Sequence, residues 1–447
     1  MESQGLGDEA AAPLVVVTGE VGSCSSSEKR KPKNHARDVH FLSFAFLFVF
    51  SAYGAAQNLE STVNTEGDLG TTSLGILYTS FTLFLVAASP VVWGLGSKRA
   101  LVLGTSGYLL FIAANLKPSW YTMVPASVYL GFAASIIWVA QGTYLTSTAR
   151  SHAKDCQLHE GTVIGKFNGE FWGMFASHQV IGNLISLALL RNGKEGDGVT
   201  GKNLLFTVFL GCMVLGITLM CFLSKRDDNG GSLSMNSSLA SVLKSAFALL
   251  LDRRVLLVIP LLAYSGLQQA FVWAEFTKEV VTPVLGVSGV GGAMALYGAA
   301  DAIVCHHMCS LVAGRFTSGL SSITFIVSGG AVLQILVLLW LLFGYSKTGG
   351  LLGAVYPLLM AAIWGVGDGV FNTQLNALFG MLFKHDMEAA FAQLKVWQSA
   401  AIAVIFFVSP YITLQAMLIL MVAALFIAMA GFLFLTLHVE RSFSSGS

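Results

Sequence analysis

The sequence predicts an all-α, polytopic membrane protein: twelve transmembrane helices in two pseudo-symmetric six-helix bundles. Three observations predict it. Of 447 residues, 55% are hydrophobic and only 11% charged, less than half the roughly 25% of soluble domains, and the mean hydropathy is +0.71. The apolar residues gather into about twelve runs near the roughly 20 residues that a membrane helix needs. A polar break at 224–253 divides those runs six and six.

The scarce charge is also unevenly placed. Residues 1–40 hold 11 of the 49 Asp, Glu, Lys and Arg side chains, and what remains cannot solubilise a surface of this size. A soluble enzyme is excluded. A net charge of +1 with only scattered basic clusters argues against nucleic-acid binding. No phosphate loop, H-E-x-x-H or G-x-S-x-G pattern is present, so no catalytic residue and no cofactor is expected.

Taken in order, the expected spans are 41–59, 71–95, 99–116, 120–147, 164–190 and 203–223, then 254–275, 288–313, 319–343, 350–380, 389–408 and 412–437. They define a disordered cytosolic tail (1–40), a first bundle (41–223), a cytosolic linker (224–253), a second bundle (254–437) and a short cytosolic tail (438–447). Loop charges set the orientation. With a cytosolic N-terminus, seventeen Lys and Arg fall on the inner side and six on the outer side. Both termini are therefore expected in the cytosol, in the plasma membrane or an endomembrane. The run Lys29-Arg-Lys-Pro-Lys reads as part of that topology signal. None of the six cysteines lies in an expected outer loop, so no disulfide framework is implied. The sequon at Asn236 sits on the cytosolic side and is expected to be unused.

The halves echo one another, as duplicated bundles should. Ala52-Tyr-Gly-Ala-Ala-Gln57 and Tyr264-Ser-Gly-Leu-Gln-Gln269 both place Gly three residues before Gln. Glu170-Phe-Trp172 parallels Lys395-Val-Trp397. Spans four and ten both begin near a proline, Pro125 and Pro357, and carry Gln141 and Gln374 toward the inner end.

Ionisable groups inside spans are expensive and are functional candidates by default. Lys166 and Glu170 are one turn apart and can pair locally, with Lys166 reaching back to the interface. Asp301 has no basic residue one turn away on its own helix. Asp368 lies in Trp364-Gly-Val-Gly-Asp-Gly369, followed by Asn372, Gln374 and Asn376. Lys395, in the next span, is the natural counter-charge for Asp368. Glu170, Asp301, Asp368, Gln374 and Lys395 are thus the candidate cavity or coupling residues. Gln57, Asn58, Gln141, Asn183, Gln269, Asn372 and Asn376 are candidates for hydrogen bonds between helices. Cys305-His-His-Met-Cys309 offers too few convergent ligands on one helix, and no metal is expected.

Two inner loops, Gly94-x-Gly-Ser-Lys-Arg99 and Gly314-Arg-Phe-Thr-Ser-Gly319, resemble the major facilitator loop Gly-x-x-x-Asp-Arg-x-Gly-Arg-Arg but lack its acidic residue. Further stretches carry a more specific resemblance: Ser51-Ala-Tyr-Gly-Ala-Ala-Gln-Asn-Leu-Glu-Ser61, Gly67-Asp-Leu-Gly-Thr-Thr72, Gly182-Asn-Leu-Ile-Ser186 and Asp368-Gly-Val-Phe-Asn-Thr-Gln-Leu-Asn-Ala-Leu378. Over roughly 40–440 the chain resembles the uncoordinated-ninety-three-like family, a branch of the major facilitator superfamily. That resemblance implies a transporter-type fold in a non-catalytic membrane protein that regulates ion channels, potassium channels among them, or chaperones other membrane proteins. It brings no site residues with it. The alternative left by the buried carboxylates is a proton- or cation-coupled secondary transporter of a small solute. The partners expected are the lipid bilayer and a membrane protein such as a potassium channel.

Overall fold

The computed structural model describes residues 35–191, 198–225, 252–314, 320–344, 351–382 and 387–439. Most of the N-terminal tail, most of the polar break, the loop 315–319 and residues 440–447 lie outside these, as do the side chains of Cys305, His306, His307 and Cys309. Expectations for the tail, the linker, the Asn236 sequon and the Cys/His cluster fall there too.

All described regular elements are helical. α1 (His35–Val63) begins before its expected span and ends at a single 3₁₀ turn, Glu66–Asp68, where Gly67 and Asp68 take φ of 57° and 55°. Those left-handed angles reverse the chain, and glycine and aspartate are among the residues that tolerate them. α2 (Leu69–Leu95) and α3 (Ser97–Ala114) are joined by Gly96 alone, at φ 78°. α4 (Trp120–Cys156) opens on a reciprocal cap between Ser119 and Thr122. α5 (Glu160–Phe175), α6 (His178–Arg191) and α7 (Gly198–Phe222) complete the first half.

In the second half, α8 (Arg253–Phe271) is capped by Asp252 and runs into a π-helical stretch, Val272–Val281. Next come α9 (Thr282–Gly314), α10 (Leu320–Leu339) with a π turn at Trp340–Gly344, and α11 (Leu351–Leu382). α12 (Met387–Val408) ends in a 3₁₀ turn, and α13 (Leu414–Phe434) is capped by Thr413.

Among the described residues, nine helices are long and apolar enough to cross a membrane, or ten if the bent pair Glu66–Leu85 and Ala87–Leu95 is one span. The chain is therefore an integral membrane protein. One of the nine, Arg253–Val304, is 52 residues long. Straight, it would measure about 78 Å, more than twice a hydrocarbon core of about 30 Å. It breaks at Gly286, whose φ of 73° no α-helix contains.

Two expected spans are interrupted, one by a bend and one by a local turn. The span 71–95 bends by 71° at Val86. The cause is Pro90, whose ring cannot donate to the Val86 carbonyl and clashes with it. The span 164–190 lies within one membrane-length run, Thr162–Arg191, that carries a local turn at Ala176–Ser177, where the His178 ring Nδ1 lies 2.7 Å from the Phe175 carbonyl oxygen. That contact takes the carbonyl from the helical amide due to receive it.

α2 and α3 pack on α4, α1 on α7, α9 on α11, and α8 on α12 and α13; α2 also meets α12, and α6 meets α9. Phe46, Phe50, Tyr53, Tyr108 and Trp138 form an aromatic core in the first half. Where backbones approach most closely, glycine is required. A Cβ on Gly182 would strike the Ser51 carbonyl, and one on Gly266 the Gln398 carbonyl. Below, the near face is the side where α1 begins and the far face the side where it ends.

Candidate functional site: a buried carboxylate and its amide relay

α8, α9, α11 and α12 converge on Asp368, which is only 5% exposed. A carboxylate at such depth needs its oxygens satisfied. Tyr297 of α9 donates its hydroxyl at 2.6 Å, Gln269 of α8 its amide at 2.9 Å, and Asn372, one turn along α11, another at 2.9 Å. Gln398 of α12 links these groups. Its Nε2 lies 3.4 Å from each of Ser265 Oγ, Gln269 Oε1 and Asn372 Oδ1. Its Oε1 accepts from Lys395 Nζ at 3.1 Å.

Lys395 and Asp368 act on each other as the opposite charges that the sequence leads us to expect, but among the described residues no direct hydrogen bond or ion pair joins them. The amine is joined to the carboxylate through two amides, Gln398 and then Gln269. The reason is geometric: Gln269 and Asn372 already fill the positions around Oδ1, and Lys395 lies a turn nearer the near face than Gln398. Amide dipoles aligned head to tail transmit part of the charge.

A second deck adjoins this one. Tyr264 donates to Gln334 Oε1 at 2.6 Å, and Gln334 Nε2 donates to Gln268 Oε1 at 2.8 Å. Adjacent Gln268 and Gln269 thus serve different decks. Asp301 packs its Oδ1 2.9 Å from where a Cβ would stand on Gly369, one residue from Asp368. Gln374 is buried but lies outside the relay, with Nε2 3.5 Å from Thr373 Oγ1. Asn376 is exposed and donates to the Asn372 carbonyl at 2.7 Å.

The first half is organised differently. Gln57 donates to the Tyr78 hydroxyl at 3.1 Å, and Asn58 to Asn183 Oδ1 at 3.1 Å. Asn183 in turn donates to the Gln179 carbonyl at 2.6 Å. Gln141 is buried on α4, apart from these. Glu170 is corrected: its Oε1 lies 2.6 Å from His40 Nδ1 of α1, so the group set against it comes from another helix rather than from Lys166.

Several groups escaped the sequence reading. Glu60, 1% exposed, takes the amides of Asn64 and Asn115 at 2.6 Å each, while Lys202 donates to Asn64 Oδ1 at 2.7 Å. Glu275 is buried in the π-helical stretch and accepts from the Ser409 hydroxyl. Gln398 could have been found, since it shares a helix face with Lys395. Tyr297 and Asn115 carried no such signal.

Among the described residues, several contacts join the first-half and second-half helices at mid-helix and toward the far face. They include Ser61 with the Ala274 carbonyl (3.1 Å), Asp68 with Lys278 (4.0 Å), Tyr78 stacked with Trp273 and Phe406, and Thr82 with Ser399 (2.7 Å).

Known proteins share both this body and this sequence. The structure superposes on the nucleoside transporter NupG with a TM-score of 0.63 at 15% identity, over 89% of this chain and 99% of that one. A D-xylose–proton symporter gives 0.60 at 12%, over 90% and 95%. At such identities the likeness shows a transporter-type fold. In sequence, the chain is 64% identical to UNC93-like protein 3 of Arabidopsis thaliana, over 94% of this chain and 89% of that one. It is 31% identical to protein unc-93 homolog A of Homo sapiens, over 89% and 92%. It is 28% identical to the putative potassium channel regulatory protein unc-93 of Caenorhabditis elegans, over 93% of this chain and 62% of that one. The family profile described as ion channel regulatory protein UNC-93 matches residues 63–433. Matched over most of its length, the chain belongs to the UNC-93 family.

Proposed function

We propose that this chain is a non-catalytic membrane subunit that regulates an ion channel, with a potassium channel as the first partner to test. The observation that carries the reading is the match of the ion channel regulatory family over 63–433. The relay supports it: Asp368 is saturated by the chain's own donors, as suits a group that holds helices in place. The body behind it is a twelve-helix, two-bundle assembly with both termini in the cytosol. Three features support that count: the 52-residue run broken at Gly286, the bent α2, and the 18-residue α3 joined to it by Gly96. The cytosolic side is then the near face.

The competing reading, a cation-coupled transporter, draws on the buried Asp368 and the transporter-type fold. Two measurements separate them. Co-expression with a potassium channel in oocytes is expected to change channel current, with the channel co-purifying. Solute uptake driven by a pH gradient in proteoliposomes holding this protein alone would overturn the regulatory reading.

A further inference from the structure

Lys395 occupies an unusual position. It stands eight residues into α12, about 12 Å from the near end of that helix. A lysine at that depth ordinarily stretches its amine back to the interface. Here Nζ points the other way, toward Gln398, one turn deeper. The side chain is nevertheless exposed. An exposed ammonium turned away from the interface faces water inside the protein, because hydrocarbon would not hold it.

The neighbours define where that water is. Ser399, one turn deeper on the same face, touches Thr82 of α2, so this face of α12 looks into the seam between the chain halves. α11 and α12 run in opposite directions, and Asn372 meets Gln398. One turn from that contact toward the near face, α11 presents Asn376 and α12 presents Lys395. Both are exposed. Asn376 spends one amide N–H on the Asn372 carbonyl and keeps the other. Lys395 spends one of three ammonium hydrogens on the neutral Gln398 carbonyl, while Asp368 is committed to three other donors. The relay answers the Lys395 charge only at a distance, so two ammonium hydrogens of Lys395 and one amide hydrogen of Asn376 are left for a ligand.

We propose that Lys395 and Asn376 form an oxyanion-binding subsite on the near side of the seam, taking the carboxylate or phosphate group of a soluble metabolite or of an anionic lipid headgroup. An ammonium and an amide N–H at one level suit an oxygen-rich anion, which accepts from both. The subsite does not depend on whether the chain regulates a channel.

The test is protection of Lys395 from acetylation, read by mass spectrometry on the full chain in phosphatidylcholine nanodiscs. Exposed Lys117 serves as the reference. Inorganic phosphate at constant ionic strength is expected to slow acetylation of Lys395 saturably while leaving Lys117 unchanged. Asn376→Ala, at an exposed position, is expected to raise the half-protecting phosphate concentration about fivefold. In a second arm, phosphatidic acid is mixed into the nanodiscs and phosphate omitted. Protection in the first arm identifies a soluble anion, and protection in the second arm alone identifies a headgroup. Equal slowing of both lysines, absence of protection in both arms, or a Lys395 that no reagent reaches would each overturn the subsite. Protection unchanged by Asn376→Ala would overturn the assignment of that residue.

Discussion

Gln57 and Gln269 each follow a glycine by three residues, on α1 and α8, and each has a tyrosine beside it, Tyr78 on α2 and Tyr297 on α9. In the first half the pair closes on itself, amide to hydroxyl at 3.1 Å. In the second half the same two residue types turn instead to a third, Asp368, at 2.9 and 2.6 Å. The carboxylate is what turns a neutral hydrogen bond into a charged node that joins Asn372, Gln398 and Lys395. The same two residue types thus serve a neutral pair in one half and a carboxylate in the other.

The largest effect should come from removing that carboxylate. Asp368→Ala leaves three buried donors unpaired and the relay without its anion, a loss of about 3–5 kcal/mol. Thermal unfolding in detergent, followed by size exclusion, is expected to show this, with Gln57→Ala costing only about 1 kcal/mol. Similar losses in both variants would erase the contrast between the halves.

The tyrosines sharpen it. Tyr297→Phe removes a bond to a charged acceptor and should cost about 1.5–3 kcal/mol, against about 1 kcal/mol for Tyr78→Phe. Equal values would mean that Asp368 is not ionised in the folded protein.

The relay itself can be cut. A double-mutant cycle between Asp368 and Lys395 is expected to give a coupling of about 0.5–1 kcal/mol that vanishes on a Gln398→Leu background. Coupling that survives Gln398→Leu would restore the direct ion pair. An effect of the same small size belongs to the seam: Thr82→Val should cost about 0.5–1 kcal/mol and leave the Asp368 cycle unchanged. A change in that cycle would show that the seam and the node act together.

Much of this was legible beforehand. The polytopic all-helical class and the family follow from apolar run length and from Tyr53-Gly-x-x-Gln-Asn-Leu59, which are local properties of the chain. The interior residues Asp368, Gln269 and Asn372 were also visible, because polar groups inside apolar runs stand out. Their partners were not. Lys395 and Asp368 were matched by depth and charge alone, whereas Gln269 and Asn372 fill the intervening space. Glu170 was matched to Lys166 on its own helix, whereas His40 reaches it from α1. Glu60, near the end of its expected run, was passed over because two asparagines from other turns complete it.

The sequence by itself thus determined the membrane class, the family and the short list of buried polar groups, since each depends on residue type and spacing along the chain. The tertiary structure alone decided who satisfies whom: that Tyr297 and Gln269 serve Asp368, and that Lys395 reaches it through Gln398. The physical reason is that a buried charge must be answered within about 3 Å, and which groups come that close is set by how helices distant in sequence pack.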